Sequence, residues 1–358
     1  MNDLKTYLYL HTRFDCSNFI QNLGWNNVVA DLFISNSCQL KCRHCYFGET
    51  KNHKSSLSLD EWKNVIDKLY AIGIRHYHFS GKESSMCSDT IILMTYIKQK
   101  ENTYAGVVTN GLGKPEYYDK LLSSSIDYIE FSLDGTLEFN DFMRAPGAFD
   151  ITINSIKRLD KELLEKVNIA TCLNSLNIIN YFDMLKQCIK LGIRKFFATP
   201  FYARGNGRKI SEYSITISQY AEFIKSTFEF LEFMPNLGLR LKYCIPEGYM
   251  NQIWSGSYFL KSLIVDFYEK GTSHIYKING NVIEISFSFF EIDYLNNISI
   301  TNDGYIIPCS DDIADDKYFQ NSLGNIIDMS TKEIESKRKK EIIKKIKSLK
   351  TLCNEINC

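Results

Sequence analysis

Between residues 29 and 200, six short β-prone runs alternate with five helical patterns, and this rhythm constrains the fold more than any other feature. The runs are Val29–Ser35, Ile74–Ser80, Ala105–Thr109, Ile126–Leu133, Val167–Leu173 and Ile193–Thr199. Strands separated by helices pair in parallel through right-handed crossovers. The first helical pattern, Ser58–Ile72, is well marked. Ser58 and Glu61 form a capping box, Trp62, Val65, Ile66, Leu69 and Ile72 share one stripe, and Gly73 can end it. The pattern alone allows a partial barrel or a doubly wound open sheet. In both, functional groups gather at the C-terminal ends of the strands.

The first strand feeds Cys38-Gln39-Leu40-Lys41-Cys42-Arg43-His44-Cys45, a C-x3-C-x2-C loop. Thiolates are the usual ligands of iron–sulfur clusters, and a [4Fe–4S] cube normally takes four. Three on one loop would leave one iron without a protein ligand. Zinc is the alternative, with His44 or His53 as a fourth ligand, although zinc pairs favour other spacings.

The stretch from Ser37 to Tyr46 resembles the signature loop of the radical S-adenosylmethionine (SAM) superfamily, with His44 as the aromatic residue before the third cysteine. The resemblance implies a partial (β/α)6 barrel in which Cys38, Cys42 and Cys45 hold a [4Fe–4S] cluster and SAM chelates the fourth iron. Electron transfer then cleaves SAM, and a 5′-deoxyadenosyl radical removes a substrate hydrogen.

Other strand tips carry matching residues. Gly81 and Glu83 lie in a segment similar to the family's Gly-Gly-Glu-Pro loop, with Lys82 and Ser84 as departures. The third strand ends in the turn signal Thr109-Asn110-Gly111. Ser132 and Asp134 match ribose contacts, Arg144 an arginine that pairs with the SAM carboxylate, and Asn174 a further contact. His44 and Tyr46 also fall on the cofactor side. The Arg204–Arg208 loop would approach adenine or substrate, and His76 and His78 share one strand face as lining residues.

After about residue 210 the rhythm stops. Ile217–Phe233 reads as a helix and Leu239–Tyr243 as a strand ending at Cys244. Asn279-Gly280 suits a type I′ hairpin within residues 275–283. A second hairpin spans 298–309. Its Gly304-x4-Cys309 pattern, with Leu323-Gly324-Asn325-Ile326 beyond, is similar to the SPASM and Twitch extensions of radical SAM enzymes. That implies an auxiliary [4Fe–4S] cluster held by Cys309, Cys353, Cys358 and Cys244; residues 289–297 contain no cysteine, and the set for two clusters is incomplete. Lys332–Lys350, with nine basic residues against three acidic, reads as an amphipathic helix. The chain divides into a cap (1–28, with Cys16 a buried thiol), a core (29–210), a helical and aromatic-rich bridging region (211–297) and an auxiliary region (298–358). The fold class is α/β, a partial (β/α)6 barrel followed by a small α+β extension with β-hairpins.

Forty-two Lys and Arg balance 42 Asp and Glu, which argues against a nucleic-acid binder. Eleven cysteines, clustered and odd in number, read as cofactor ligands in a reducing cytoplasm. Neither a signal peptide nor a membrane-length apolar run is present. The resemblance implies an oxidoreductase served by a flavodoxin- or ferredoxin-like donor. Small relatives with such extensions modify ribosomally made peptides by crosslinks, thioethers or epimerisation; others dehydrogenate or epimerise sugars and similar small molecules. Only about 28 residues precede the first strand, so no leader-binding domain is expected, which shifts weight to a small molecule. A non-catalytic iron–sulfur or zinc scaffold is the reading from another class.

Overall fold

Among the described residues one sheet of eleven strands forms, and its first six strands in the sequence lie side by side in chain order without a reversal. A doubly wound sheet needs such a reversal; this one curves in a single direction, as a partial barrel. The computed structural model describes residues 24–25, 28–48, 56–246, 259–260, 262–263, 274–288, 297–308, 313 and 318–355. Cys16 and His53 fall outside them.

β1 (Val29–Ser35), α1 (Leu59–Ala71), β2 (His76–Gly81), α2 (Thr90–Lys98), β3 (Tyr104–Thr109), α3 (Pro115–Ser123) and β4 (Tyr128–Ser132) follow the expected rhythm. The capping box of α1 is present, with Ser58 N–H donating to Glu61 Oε2 at 2.7 Å. Next come α4 (Leu137–Met143), α5 (Ala148–Lys157), β5 (Val167–Leu173), α6 (Tyr181–Lys190), β6 (Lys195–Pro200) and α7 (Ile217–Phe233). The short α4 carries no long apolar stripe, so the sequence pattern does not mark it.

The two faces of the strands differ in chemistry. Ala30, Leu32, Tyr77, Phe79, Ile129 and Phe131 point outward and are fully buried against helices, where Trp62, Val65, Ile66 and Leu69 of α1 meet them. A strand buried in apolar surroundings on both faces reads as continuous hydrophobics. Here the opposite face carries Asp31, His76, His78, Glu130 and Asn168, so it borders a polar lumen.

Gly106 of β3 belongs to that inner face. A Cβ there would sit 2.2 Å from the Tyr128 ring, so the glycine makes room for the tyrosine. Gly106→Ala is expected to cost about 1–3 kcal/mol through overpacking, seen as a lowered denaturant midpoint.

The later strands extend this same sheet. β7 (Arg240–Pro246) pairs in parallel with β6, and β9 (Asn281–Ser288) with β7. β8 (His274–Ile278) joins β9 through Asn279 and Gly280, both at positive φ as a type I′ turn requires. The strand and the hairpin expected within residues 211–297 thus join this sheet. At the other edge β10 (Asn297–Ile300) pairs in parallel with β1, and β11 (Ile306–Ile307) is antiparallel to β10. A long helix, α8 (Thr331–Glu355), follows, with Ile334 and Ile342 buried. No helix among the described residues is long and apolar enough to cross a membrane.

Candidate active site

The cysteine loop leaves β1 at an irregularity. Pairing with β2 shifts between Phe33 and Ser35, which turns the chain over the C-terminal edge of the sheet. Three segments hold the loop there. Arg43 N–H donates to Met143 O at the end of α4 (2.8 Å), and Asn206 gives its backbone N–H to Cys45 O (2.9 Å) and its side-chain amide to Cys42 O (3.3 Å). Gly205 has φ +52°, and a Cβ there would lie 2.2 Å from Tyr46 O. The Arg204–Arg208 loop, expected near adenine or substrate, therefore packs against the backbone of the cysteine loop. Beyond the cysteines, Phe47 joins Phe33, Ile307, Ile313 and Tyr318 in a small apolar cluster, which ties this loop to the C-terminal hairpin.

Cys38, Cys42 and Cys45 line one side of a cavity of about 440 Å³. Gly81, Glu83, Ser132 and Arg144 line it too, as do His44 and Tyr46. The thiols sense one another: burial pushes Cys42 up to about 12 against the pull of Arg144, with Cys45, Asp134 and Cys38 adding to the rise. Burial also raises Cys38. Such thiols give up their protons to a bound metal. Two N–H donors already face Cys38 Sγ, from Leu40 N (3.4 Å) and Asn110 Nδ2 (3.6 Å). Among the described residues no three His, Cys, Asp or Glu side chains converge tightly enough for one metal ion. Three cysteine ligands with outer donors and room beside them fit a cluster with one iron left open.

The tip of β2 is braced to the tip of β3. Gly81 has φ +109°, and Glu83 is 2% exposed. The Glu83 carboxylate accepts from Thr109 Oγ1 (2.7 Å), Asn110 N (2.8 Å) and Ser85 N (3.0 Å). Ser84 uses its hydroxyl on Val108 O (3.2 Å) and accepts from Tyr117 (3.0 Å), contacts a proline could not make. Glu83→Ala leaves several buried donors unmatched, at about 1–3 kcal/mol each. A lower denaturant midpoint and weaker SAM binding in equilibrium dialysis are the expected results, because Asn110 loses its anchor.

Asp134 and Asn174 follow the ends of β4 and β5 as expected but are not among the residues that line the cavity. Asp134 is fully buried beneath the cavity. Its Oδ2 lies 2.7 Å from Arg144 Nε and 3.3 Å from His44 Nε2, and its Oδ1 accepts from Cys172 N (2.9 Å). The Arg144 N–H points off the oxygen, so charge more than hydrogen bonding holds that pair. Burial opposes ionisation of Asp134, but Arg144, His44 and the Cys172 N–H outweigh it and keep its carboxyl below the usual range. Burial, helped by Arg144, keeps His44 neutral despite Asp134. Arg144 thus spends Nε on Asp134 and lines the cavity. Asn174 is also fully buried; its Oδ1 accepts from Leu176 N and Asn177 N and closes the turn after β5. Sequence reasoning missed Asn110 and Asn206 as supports of the loop. The Asn-Gly turn after β3 was the available signal for the first, and the glycine-rich Arg204–Arg208 loop marked the stretch of the second without its role.

In the C-terminal part, Gly304 (φ +91°) packs against Asn325, whose Nδ2 donates to Asp303 O at 2.8 Å. The two segments likened to SPASM are therefore in contact. Cys309 and Cys358 lie outside the described residues, Cys353 belongs to α8, and Cys244 sits on β7.

Residues 32–188 match the family model of the radical SAM superfamily, and residues 294–358 match SPASM, an iron–sulfur cluster-binding domain. Among curated proteins, the Fe-coproporphyrin III synthase of Methanosarcina barkeri is 32% identical over 191 residues, covering 51% of this chain and 47% of that protein. The sporulation killing factor maturation protein SkfB of Bacillus subtilis is 28% identical over 167 residues, covering 46% and 40%. The chain thus spans about half the length of these relatives or less. Streptococcus suis SuiB bound to its precursor peptide SuiA superposes with a TM-score of 0.61 at 15% identity, covering 88% of this chain and 66% of SuiB, a likeness of fold. The first domain implies a [4Fe–4S] cluster with SAM, and the second an auxiliary iron–sulfur cluster. Because the two matches fall where the structure builds the cysteine loop and the Gly304 hairpin, the chain carries a radical SAM domain and a SPASM-type C-terminal domain.

Proposed function

We propose that the protein is a radical SAM oxidoreductase that matures a ribosomally made peptide. The observation that carries the radical chemistry is the single cavity lined by three thiols and by Arg144. Cys38, Cys42 and Cys45 would hold the cluster. Arg144 would receive the SAM carboxylate through guanidinium nitrogens other than Nε. Backbone near Gly81 would meet the SAM ammonium, and Ser132 a ribose hydroxyl. When bound, this pair supplies reductive SAM cleavage and a 5′-deoxyadenosyl radical able to take a hydrogen atom from substrate. The protein's own part is to hold, orient and shield. Asp134 fixes Arg144 and His44 beneath the cavity, and Glu83 holds Asn110 against Cys38.

The peptide reading is supported by SkfB, a maturation protein, and by the fold shared with peptide-bound SuiB. A second reading, a small-molecule substrate, is favoured by the likeness to Fe-coproporphyrin III synthase. Cys309, Cys353 and Cys358, with Cys244, are the proposed ligands of the auxiliary cluster. A flavodoxin- or ferredoxin-like protein would supply electrons.

The test is to reconstitute the protein without oxygen and incubate it with SAM, dithionite and short peptides encoded beside its gene. Peptide-dependent 5′-deoxyadenosine, with loss of two hydrogens from the peptide or deuterium uptake from solvent, is expected. SAM cleavage stimulated by no peptide but by a porphyrin or sugar would replace the peptide reading.

A further inference from the structure

Asn110 directly follows β3, in the turn at its tip, and lines the cavity beside the cysteine loop. It is buried, and its backbone is fixed on both sides. Its N–H donates to Glu83 Oε2 (2.8 Å), and its carbonyl accepts from Thr152 Oγ1 of α5 (2.8 Å). Gly111, at φ +82°, turns the chain directly after it, where a Cβ would meet the Thr152 side chain at 2.6 Å. The Asn110 side chain is fixed as well. Its Oδ1 accepts from Leu112 N (2.9 Å) and from Gln39 Nε2 of the cysteine loop (3.2 Å). The oxygen and nitrogen of an amide are told apart by their partners. A backbone N–H can only donate, so Leu112 identifies the oxygen. Nδ2 is then the atom that faces Cys38 Sγ, at 3.6 Å.

The two donors at Cys38 differ in origin. Leu40 N–H (3.4 Å) belongs to the cysteine loop itself, two residues along. The Asn110 amide comes from another strand tip, 72 residues away in the chain. It is held by Glu83, Thr152, Leu112 and Gln39, through bonds that do not involve the sulfur. It is therefore aimed in advance at one ligand sulfur.

A thiolate ligand becomes more negative when its cluster takes up an electron. An N–H donated to that sulfur stabilises the reduced state more than the oxidised one, and such bonds help to set the potential. No proton moves: one electron arrives from the external donor, and the N–H stays on Asn110. We infer that Asn110 tunes the SAM cluster, its fixed N–H on Cys38 Sγ raising the reduction potential and easing the one-electron reduction that precedes SAM cleavage. The inference rests on Cys38, Cys42 and Cys45 holding that cluster. It is independent of the substrate.

The test uses the reconstituted protein without SAM, poised with dithionite and redox mediators and followed by the EPR signal of the reduced cluster. The signal of the SAM cluster is the one missing when Cys38, Cys42 and Cys45 are all replaced by Ala. Asn110→Leu keeps the size of the side chain and removes the donor. At a fixed potential its ratio of reduced to oxidised SAM cluster is expected to fall about tenfold, the scale of one hydrogen bond to a charged group. That is a midpoint lowered by about 59 mV for one electron. Asn110→Ala, which leaves room for a water to donate instead, is expected to shift the midpoint the same way by less. An unchanged or higher midpoint in Asn110→Leu with wild-type iron content and circular dichroism would overturn the inference. Loss of the cluster from both variants would also overturn it, leaving Asn110 a structural support only. A triple cysteine variant that lacks no signal would instead defeat the cluster assignment, so the two failures are told apart.

Discussion

Replacing Cys38, Cys42 and Cys45 together by Ala is expected to remove about four irons per chain and to reduce SAM cleavage to background. The three thiols line one side of a single cavity, and each is delivered by a loop held at Met143, Cys42 and Cys45 carbonyls. Burial raises Cys38 and Cys42, so without metal they are neutral side chains that cost little to truncate. The loop's backbone anchors do not use the sulfur atoms, apart from the Leu40 and Asn110 donors to Cys38. The apoprotein should therefore keep its circular dichroism while iron and 5′-deoxyadenosine formation fall. About four irons retained by the triple variant would locate the rest in the SPASM-type domain. A triple variant that still cleaves SAM would remove this loop as the cluster site.

The second large effect concerns Asp134. Asp134→Ala is expected to destabilise the protein by about 3–5 kcal/mol, the usual loss when one partner of a buried ion pair is removed. Arg144 would be left as an uncompensated buried cation, His44 would lose a neighbouring charge, and the Cys172 N–H would lose its acceptor. Asp134→Asn separates the two contributions: it can still accept from Cys172 N–H but carries no charge. SAM affinity, read by equilibrium dialysis, should fall in both variants because Arg144 is no longer held at the cavity wall. The pH dependence has a definite sign. The folded-state carboxyl of Asp134 is depressed, so its stabilisation is present above its ordinary value of about 4 and is lost as pH falls below it. Denaturant midpoints measured down the acid limb should therefore fall less steeply for Asp134→Asn than for wild type. Parallel acid limbs would show that Asp134 is not the ionised partner of Arg144.

Much of this protein is legible from its residues in order. The β–α rhythm, the cap of α1 and the Asn279-Gly280 turn are local matters, decided by periodicity and by backbone preferences within a few residues. The spacing of Cys38, Cys42 and Cys45 is likewise local, and with it came the family. What a side chain does at a strand tip is not local. Glu83, Asp134 and Asn174 stand at expected positions, yet two turn inward and the third braces a neighbouring strand. Thr109 is brought to Glu83, and Arg144 and His44 to Asp134, by other segments of the chain, whereas Asn174 bonds within its own turn to Leu176 and Asn177. A buried carboxylate goes where donors and cations compensate its lost hydration, and only the packed structure decides where those are. The sequence by itself determined the parallel strands, the cysteine loop and the chemistry it belongs to. Which polar groups line the cavity and which hold the scaffold was decided by tertiary packing, because hydrogen-bond satisfaction in a buried site is settled largely between elements distant in the chain.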